Sequence, residues 1–162
     1  MDALVVYHSR FGNTKRVAEV IAGVWRPAGT IRLIRADQLS AADVGIVDLL
    51  VLGTPTHVAG LPKELRLILE ALPERMLRGV RFAAFDTSYK TNWFLALFTA
   101  AKRLNRWLRR LGGKQIARPE SFFVEGKEGL LFKGELGRAG IWSKTIAARY
   151  RCLSESQFVG SE

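Results

Sequence analysis

Six consecutive residues near the N-terminus combine the side chains and the backbone freedom that suit a phosphate group. They follow an apolar run at residues 4–7 and precede a segment with helical periodicity. Hydroxyl and amide groups can hydrogen-bond phosphate oxygens, and the first N–H groups of a helix attract an anion. An ordinary capped strand-to-helix turn would use the same residue types. The candidate phosphate loop consists of Ser9, Arg10, Phe11, Gly12, Asn13 and Thr14.

A second candidate loop, residues 53–62, is rich in glycine and proline and follows an apolar run at residues 48–52. A rigid loop of this kind can present backbone amides and carbonyls to a planar heterocycle. The ring of His57 either lies against such a ligand or is simply exposed to solvent, and no neighbouring group marks it as a catalytic base. The candidate ligand contacts are Thr54, Pro55, Thr56, His57, Val58 and Gly60.

The third candidate loop begins at Asp86, after the apolar run 80–85, and combines hydrogen-bonding groups with two aromatic residues. Tyr89 is the better candidate for stacking on an aromatic ligand. We expect Trp93 instead to begin the buried stripe of the following helix. The candidate ligand contacts are Asp86, Thr87, Ser88 and Tyr89.

The elements that hold these loops alternate along the chain. The apolar runs 4–7, 48–52 and 80–85 are typical of strands buried on both faces, and residues 30–35 and 121–124 form weaker strand patterns. Helical periodicity occurs in four segments, at about 17–24, 65–72, 94–111 and 135–150. This alternation predicts one α/β domain over residues 1–150, with a parallel sheet between two layers of helices, followed by a polar tail at 151–162.

In such sheets, ligands bind beyond the carboxyl ends of the strands, where all three candidate loops lie. Together the loops offer a phosphate cradle, a backbone clamp and an aromatic stacking group. This combination suits FMN, a phosphorylated flavin.

Composition narrows the class of protein. The length of 162 residues fits one domain, and a single cysteine, Cys152, excludes an internal disulfide and a cysteine-clustered metal site. No signal peptide is recognisable at the N-terminus, and the longest apolar run is too short for a transmembrane helix, so we expect a cytoplasmic protein. The net charge of +10 favours anionic partners.

With these residues in view, the chain resembles the flavodoxin family across nearly its whole length. Residues 7–19 resemble the family's phosphate-loop signature, residues 53–57 its second flavin loop, residues 86–89 its third, and residues 122–139 resemble small flavodoxin-domain proteins. The resemblance implies a five-stranded sheet of order 2-1-3-4-5, noncovalently bound FMN, and electron transfer through the exposed flavin edge. Two features depart from the family. Phe11 replaces a common hydroxyl residue, and the chain is basic where carrier flavodoxins are usually acidic.

Two other functions fit parts of the sequence. Residues 53–56 also resemble the loop of NAD(P)H:quinone oxidoreductases, although residues 86–91 do not match the glycine-rich third loop of those longer enzymes. The alternative is an interaction module that docks on an acidic redox partner or an anionic membrane, and its basic residues would otherwise form a solvated outer helix face. No nucleic-acid-binding motif accompanies the charge. The basic residues concerned are Lys102, Arg103, Arg106, Arg109 and Arg110.

Overall fold

The computed structural model describes residues 1–56, 60–90, 99–126 and 129–159, which form one sheet with helices on both faces. The strands are β1 (Asp2–Tyr7), β2 (Thr30–Arg35), β3 (Leu49–Pro55), β4 (Arg81–Tyr89), β5 (Lys114–Gln115) and β6 (Glu120–Val124). The helices are α1 (Asn13–Trp25), α2 (Ala41–Val44), α3 (Lys63–Glu70), α4 (Ala100–Arg110) and α5 (Glu135–Val159). Short 3₁₀ turns occupy Arg26–Ala28 and Ala36–Gln38.

The sheet is parallel and has the predicted order β2-β1-β3-β4-β5. Strand β6 is an addition, because it also pairs with β4. β5 pairs with the first residues of β4 and β6 with its last five, so two short strands share the fifth position of the sheet. Pro119 immediately precedes β6 and has no N–H group to continue the ladder, which is consistent with the interruption between the two strands.

Alternate residues of the central strands enter two separate hydrophobic cores. Val5, Val51 and Phe85 pack with α1 and α5 on one side of the sheet. Leu4, Leu50 and other residues of the opposite set pack with α3 and α4 on the other side. These strands are therefore buried on both faces, as their continuous apolar runs predicted.

The ends of two helices differ from the sequence expectation or lie partly outside the described residues. Helix α5 was expected to end near residue 150, but it continues to Val159, and that expectation is wrong. No glycine or proline interrupts residues 151–159, and the hydroxyls of Ser154 and Ser156 donate to carbonyls four residues earlier. The start of the predicted helix 94–111, including its aromatic residues and the preceding Trp93, lies outside the described residues. Among the described helices, none is long and apolar enough to cross a lipid bilayer.

Candidate functional site

The described parts of the three candidate loops meet at one edge of the sheet, because β1, β3 and β4 are neighbours. The backbone N–H of His8 donates to the carbonyl of Gly53 at 2.8 Å, joining the first loop to the end of β3. The N–H of Thr56 donates to the carbonyl of Thr87 at 2.9 Å, joining the second loop to β4. The sequence-predicted residues are therefore brought together wherever the structure describes them.

The first loop ends in an open helix start. Gly12 has φ +90°, a left-handed conformation that favours glycine, and its N–H donates to Ser9 Oγ at 3.0 Å. No side chain caps the first turn of α1, and that turn contains no acidic residue. The first N–H groups of a helix carry partial positive charge and need acceptors, so this turn presents unpaired donors to an anion.

The side chains of Asn13 and Thr14 hold the loop in place instead of pointing freely into it. Asn13 Nδ2 donates to the carbonyl of Gly129 at 2.7 Å, and Thr14 Oγ1 lies 2.8 Å from Thr87 Oγ1. Both residues are buried. Among the hydrogen bonds of this loop, the two side chains expected to contact phosphate thus tie α1 to β4 and to the segment after β6, while the helix N–H groups stay available.

Gly129 is a contact that sequence reasoning missed. It lies 116 positions from Asn13 in the chain. The segment that carries it turns back on β6, since Val124 pairs with Leu131 in an antiparallel bridge. Only the glycines around this turn gave a signal, and they did not reveal the partner.

Two exposed residues border the first loop. The Arg10 guanidinium carbon lies 5.5 Å from the ring centroid of Phe11, and Phe11 is 46% exposed. A large apolar ring that remains this exposed beside a helix start is available to cover part of a ligand.

The second and third loops are joined by a buried hydrogen-bond network at the start of α4. Thr56 Oγ1 donates to Asp86 Oδ2 at 2.8 Å and accepts from the N–H of Ala100 at 3.0 Å. The same Asp86 oxygen accepts from the N–H of Ala101 at 2.8 Å. The first turn of α4 is therefore satisfied from within the protein by a hydroxyl and a carboxylate.

Asp86 is fully buried, and this environment disfavours its charged form. Burial raises the pKa of Asp86 above its ordinary value, although the hydrogen bonds from Ala101 and Thr56 act in the opposite direction. Its second oxygen, Oδ1, has no hydrogen-bond partner among the described residues. The sequence identified Asp86 as a ligand contact, whereas the described structure shows it serving α4.

A glycine and an aromatic cluster form the floor beneath the loops. A Cβ on Gly53 would lie 2.0 Å from Phe85 Cζ, so only glycine lets the Phe85 ring pass under the end of β3. Phe85 makes edge-to-face contacts with Phe122 and Trp142 at centroid distances of 5.9 and 6.1 Å. This packing sets the height of the second loop above the sheet.

The other predicted residues divide into enclosed and accessible positions. Thr54, Thr87 and Ser88 are buried, whereas Pro55 is partly exposed and Tyr89 is 44% exposed. Gly60 is buried beside Arg103. Tyr89 is accessible, as a stacking group needs to be. His57 and Val58 lie outside the described residues.

Comparison with known proteins places the chain in a family. The family model described as Flavodoxin matches residues 5–138, so the chain belongs to the flavodoxin family. FMN is the cofactor that this family membership assigns to it. The open start of α1, with its unpaired N–H groups, fits the phosphate of FMN.

Solved structures share the fold at low sequence identity. A flavodoxin from the domain Archaea superposes with a TM-score of 0.74 at 17% identity, covering 93% of this chain and 99% of that chain. Flavodoxin 1 from Bacillus cereus gives 0.75 at 19% identity, covering 91% and 98%. The WrbA-like protein from Agrobacterium tumefaciens gives 0.70 at 21% identity, covering 93% and 98%. At these identities the similarity shows the fold.

A curated relative is more similar in sequence over a shorter segment. NADPH-dependent diflavin oxidoreductase 1 of Emericella nidulans is 34% identical over 126 residues, which cover 71% of this chain. The match spans only 18% of that relative's own length. Together with the family match, this similarity supports flavin-mediated electron transfer.

Proposed function

We propose that this chain is an electron carrier that holds FMN noncovalently at the carboxyl ends of β1, β3 and β4. The observation that carries the proposal is the uncapped start of α1, which lacks a first-turn acid while the neighbouring start of α4 is already filled. When bound, FMN supplies one- and two-electron transfer. The side chains of this site bind and orient the cofactor, and no side chain is required to act as a catalytic acid or base.

The residues divide the binding task. The N–H groups of the first turn of α1 receive the phosphate, and Ser9 and Gly12 shape the loop around it. The exposed ring of Tyr89 and the rigid second loop, from Thr54 to Gly60, flank the flavin ring. Asp86, Thr87 and Ser88 support that wall from below, since all three are buried.

The charge of the chain bears on the reduction potential and on the partner. A unit positive charge about 10 Å from the flavin contributes on the order of 0.4 kcal/mol in water, before screening by salt. With a net charge of +10, the protein favours the anionic reduced cofactor more than an acidic carrier does. The same charge favours an acidic redox partner over a basic one. A very low potential for the second electron in a potentiometric titration would contradict the first of these expectations.

The direct test is titration of the purified chain with FMN, with riboflavin as the control ligand that lacks the phosphate. We expect FMN to quench its fluorescence on binding and to raise the melting temperature, and riboflavin to bind more weakly. If saturating FMN changes neither signal, the proposal is wrong.

A second candidate is an NAD(P)H:quinone oxidoreductase, favoured by the NADPH dependence in the name of the fungal relative. Steady-state oxidation of NADPH by a quinone in the presence of the FMN-loaded chain would support it. An FMN-loaded chain that accepts electrons by photoreduction but does not oxidise NADPH is instead a carrier.

A further inference from the structure

A groove of about 400 Å³ lies between α3 and α4, on the opposite side of the sheet from α1 and α5. Four arginines line it, Arg66 on α3 and Arg103, Arg106 and Arg110 on α4. Its remaining lining residues are Gly60, Leu61 and Trp107. A concave site lined by so many guanidinium groups is suited to anionic groups.

The positive charge of the groove is not neutralised from within the described part of the chain. Helix α4 contains no acidic residue, and its three groove arginines form no ion pair with a described residue. Arg66 lies 3.7 Å from Glu70, but both side chains are about half exposed, and such surface pairs contribute little. By contrast, Arg138 at the far side of the sheet is paired with both Glu120 and Glu135.

The chemistry and shape of the groove favour carboxylates on a protein segment. A guanidinium group can bind a carboxylate through two parallel hydrogen bonds, and its planar face can stack on an aromatic ring. The Arg110 guanidinium carbon lies 5.9 Å from the ring centroid of Trp107, which supports its position on the groove wall. Glutamate or aspartate side chains projecting from a chain can enter a groove, whereas a flat lipid surface contacts only its rim.

The groove is continuous with the candidate flavin site. Gly60, the last candidate contact of the second loop, also lines the groove, and a Cβ on it would lie 3.3 Å from Arg103 Nη1. A protein bound along α4 is therefore placed next to the loop that flanks the flavin. Such placement shortens the distance between two redox centres.

We propose that this groove is the docking site for an acidic redox partner protein, whose carboxylate-rich segment lies along α4 on Arg103, Arg106 and Arg110. The inference rests on the proposed electron-transfer function and adds to it the position and chemistry of the docking surface. Recognition is electrostatic, so affinity falls as the salt concentration rises.

The test uses the FMN-loaded full chain and a fluorescein-labelled polyglutamate peptide, with polyglutamine as the neutral probe. The variant R106E/R110E reverses two groove charges without touching Gly60 or Arg103. The matched control K144E/R151E reverses two exposed charges on α5 and changes the net charge equally. We expect about a tenfold or greater loss of polyglutamate affinity in the groove variant and less than about a threefold loss in the control.

Two further variants and probes keep the result interpretable. R106Q/R110Q removes the charges without placing acids in the last turns of α4, where they would oppose the helix dipole, and we expect an intermediate loss of affinity with an unchanged melting temperature. Equal losses in the groove and control variants would overturn the proposal, as would binding to phosphatidylglycerol vesicles or inorganic phosphate but not to polyglutamate. The FMN affinity of each variant is measured separately, so a chain that binds no FMN contradicts the proposed function and leaves the docking result readable.

Discussion

Helices α1 and α4 both begin at the edge of the sheet where the candidate loops meet, yet their first turns are satisfied in opposite ways. The start of α1 has neither a side-chain cap nor an acidic residue. The start of α4 receives the hydroxyl of Thr56 and the carboxylate of Asp86. The same partial positive charge is thus left open at one helix and neutralised internally at the other. The difference indicates which helix start is available to a phosphate group and which one is structural.

The largest expected effect comes from closing the open helix start. Ser9→Asp places a carboxylate where Ser9 Oγ now accepts the N–H of Gly12, so it competes with the phosphate. Two unit charges about 4 Å apart interact by roughly 1–4 kcal/mol near a protein surface, so FMN affinity falls on the order of 100-fold. Fluorescence titration measures it. Riboflavin affinity stays unchanged, and Ser9→Ala is the uncharged control. Equal weakening of FMN and riboflavin would contradict the assignment of the phosphate to α1.

Opening the filled helix start affects stability. Thr56→Val removes the donor to Asp86 and the acceptor of the Ala100 N–H, leaving two polar groups unpaired. The free energy of unfolding, measured in urea, falls by about 2 kcal/mol. Thr56→Ser keeps the hydroxyl and serves as the control, with a smaller loss. Equal destabilisation by valine and serine would show that the methyl packing of Thr56 matters more than its hydrogen bonds.

The charge of Asp86 makes the filled helix start sensitive to pH. Because burial raises the pKa of Asp86, the folded state holds its proton more tightly than the unfolded state does. This stabilising contribution is complete below the ordinary pKa of about 3.9 and is lost as pH rises through the higher folded-state pKa. Each unit of elevation corresponds to about 1.4 kcal/mol. Asp86→Asn lacks this titration.

Denaturant unfolding of both proteins between acid and neutral pH measures the contribution. We expect the stability of Asp86→Asn relative to the original chain to increase as pH rises. A difference that is constant with pH, or one that decreases, would contradict the proposed effect of burial.

The smallest expected effect concerns the contact that orients the open helix start. Thr14 and Thr87 share one buried hydrogen bond, so a double-mutant cycle with valine at both positions should give a coupling energy of about 1 kcal/mol. Thr145, whose exposed hydroxyl donates to the carbonyl of Ile141, replaces Thr87 in the control cycle and should show no coupling with Thr14. A coupling near zero for Thr14 and Thr87 would mean that water replaces the bond without cost.

Much of the architecture follows from local patterns. The apolar runs at residues 4–7, 48–52 and 80–85 predicted strands buried on both faces, and the alternation with helical segments predicted the parallel order of the first five strands. The pairing of both β5 and β6 with β4 was not predicted. Nor was the extension of α5 beyond residue 150, because polar residues are compatible with either an exposed helix or a tail.

The amino-acid sequence by itself determined where ligand-binding loops must lie, because parallel strands bring their carboxyl ends to one edge and only turn residues follow them. Only the tertiary structure decided what each polar group does there. Asn13 finds the carbonyl of Gly129, and Asp86 caps α4, through contacts between segments distant in the chain. A hydroxyl or carboxylate has the same chemistry whether it binds a cofactor or a backbone N–H. Its role depends on the nearest partner, which the folded chain supplies.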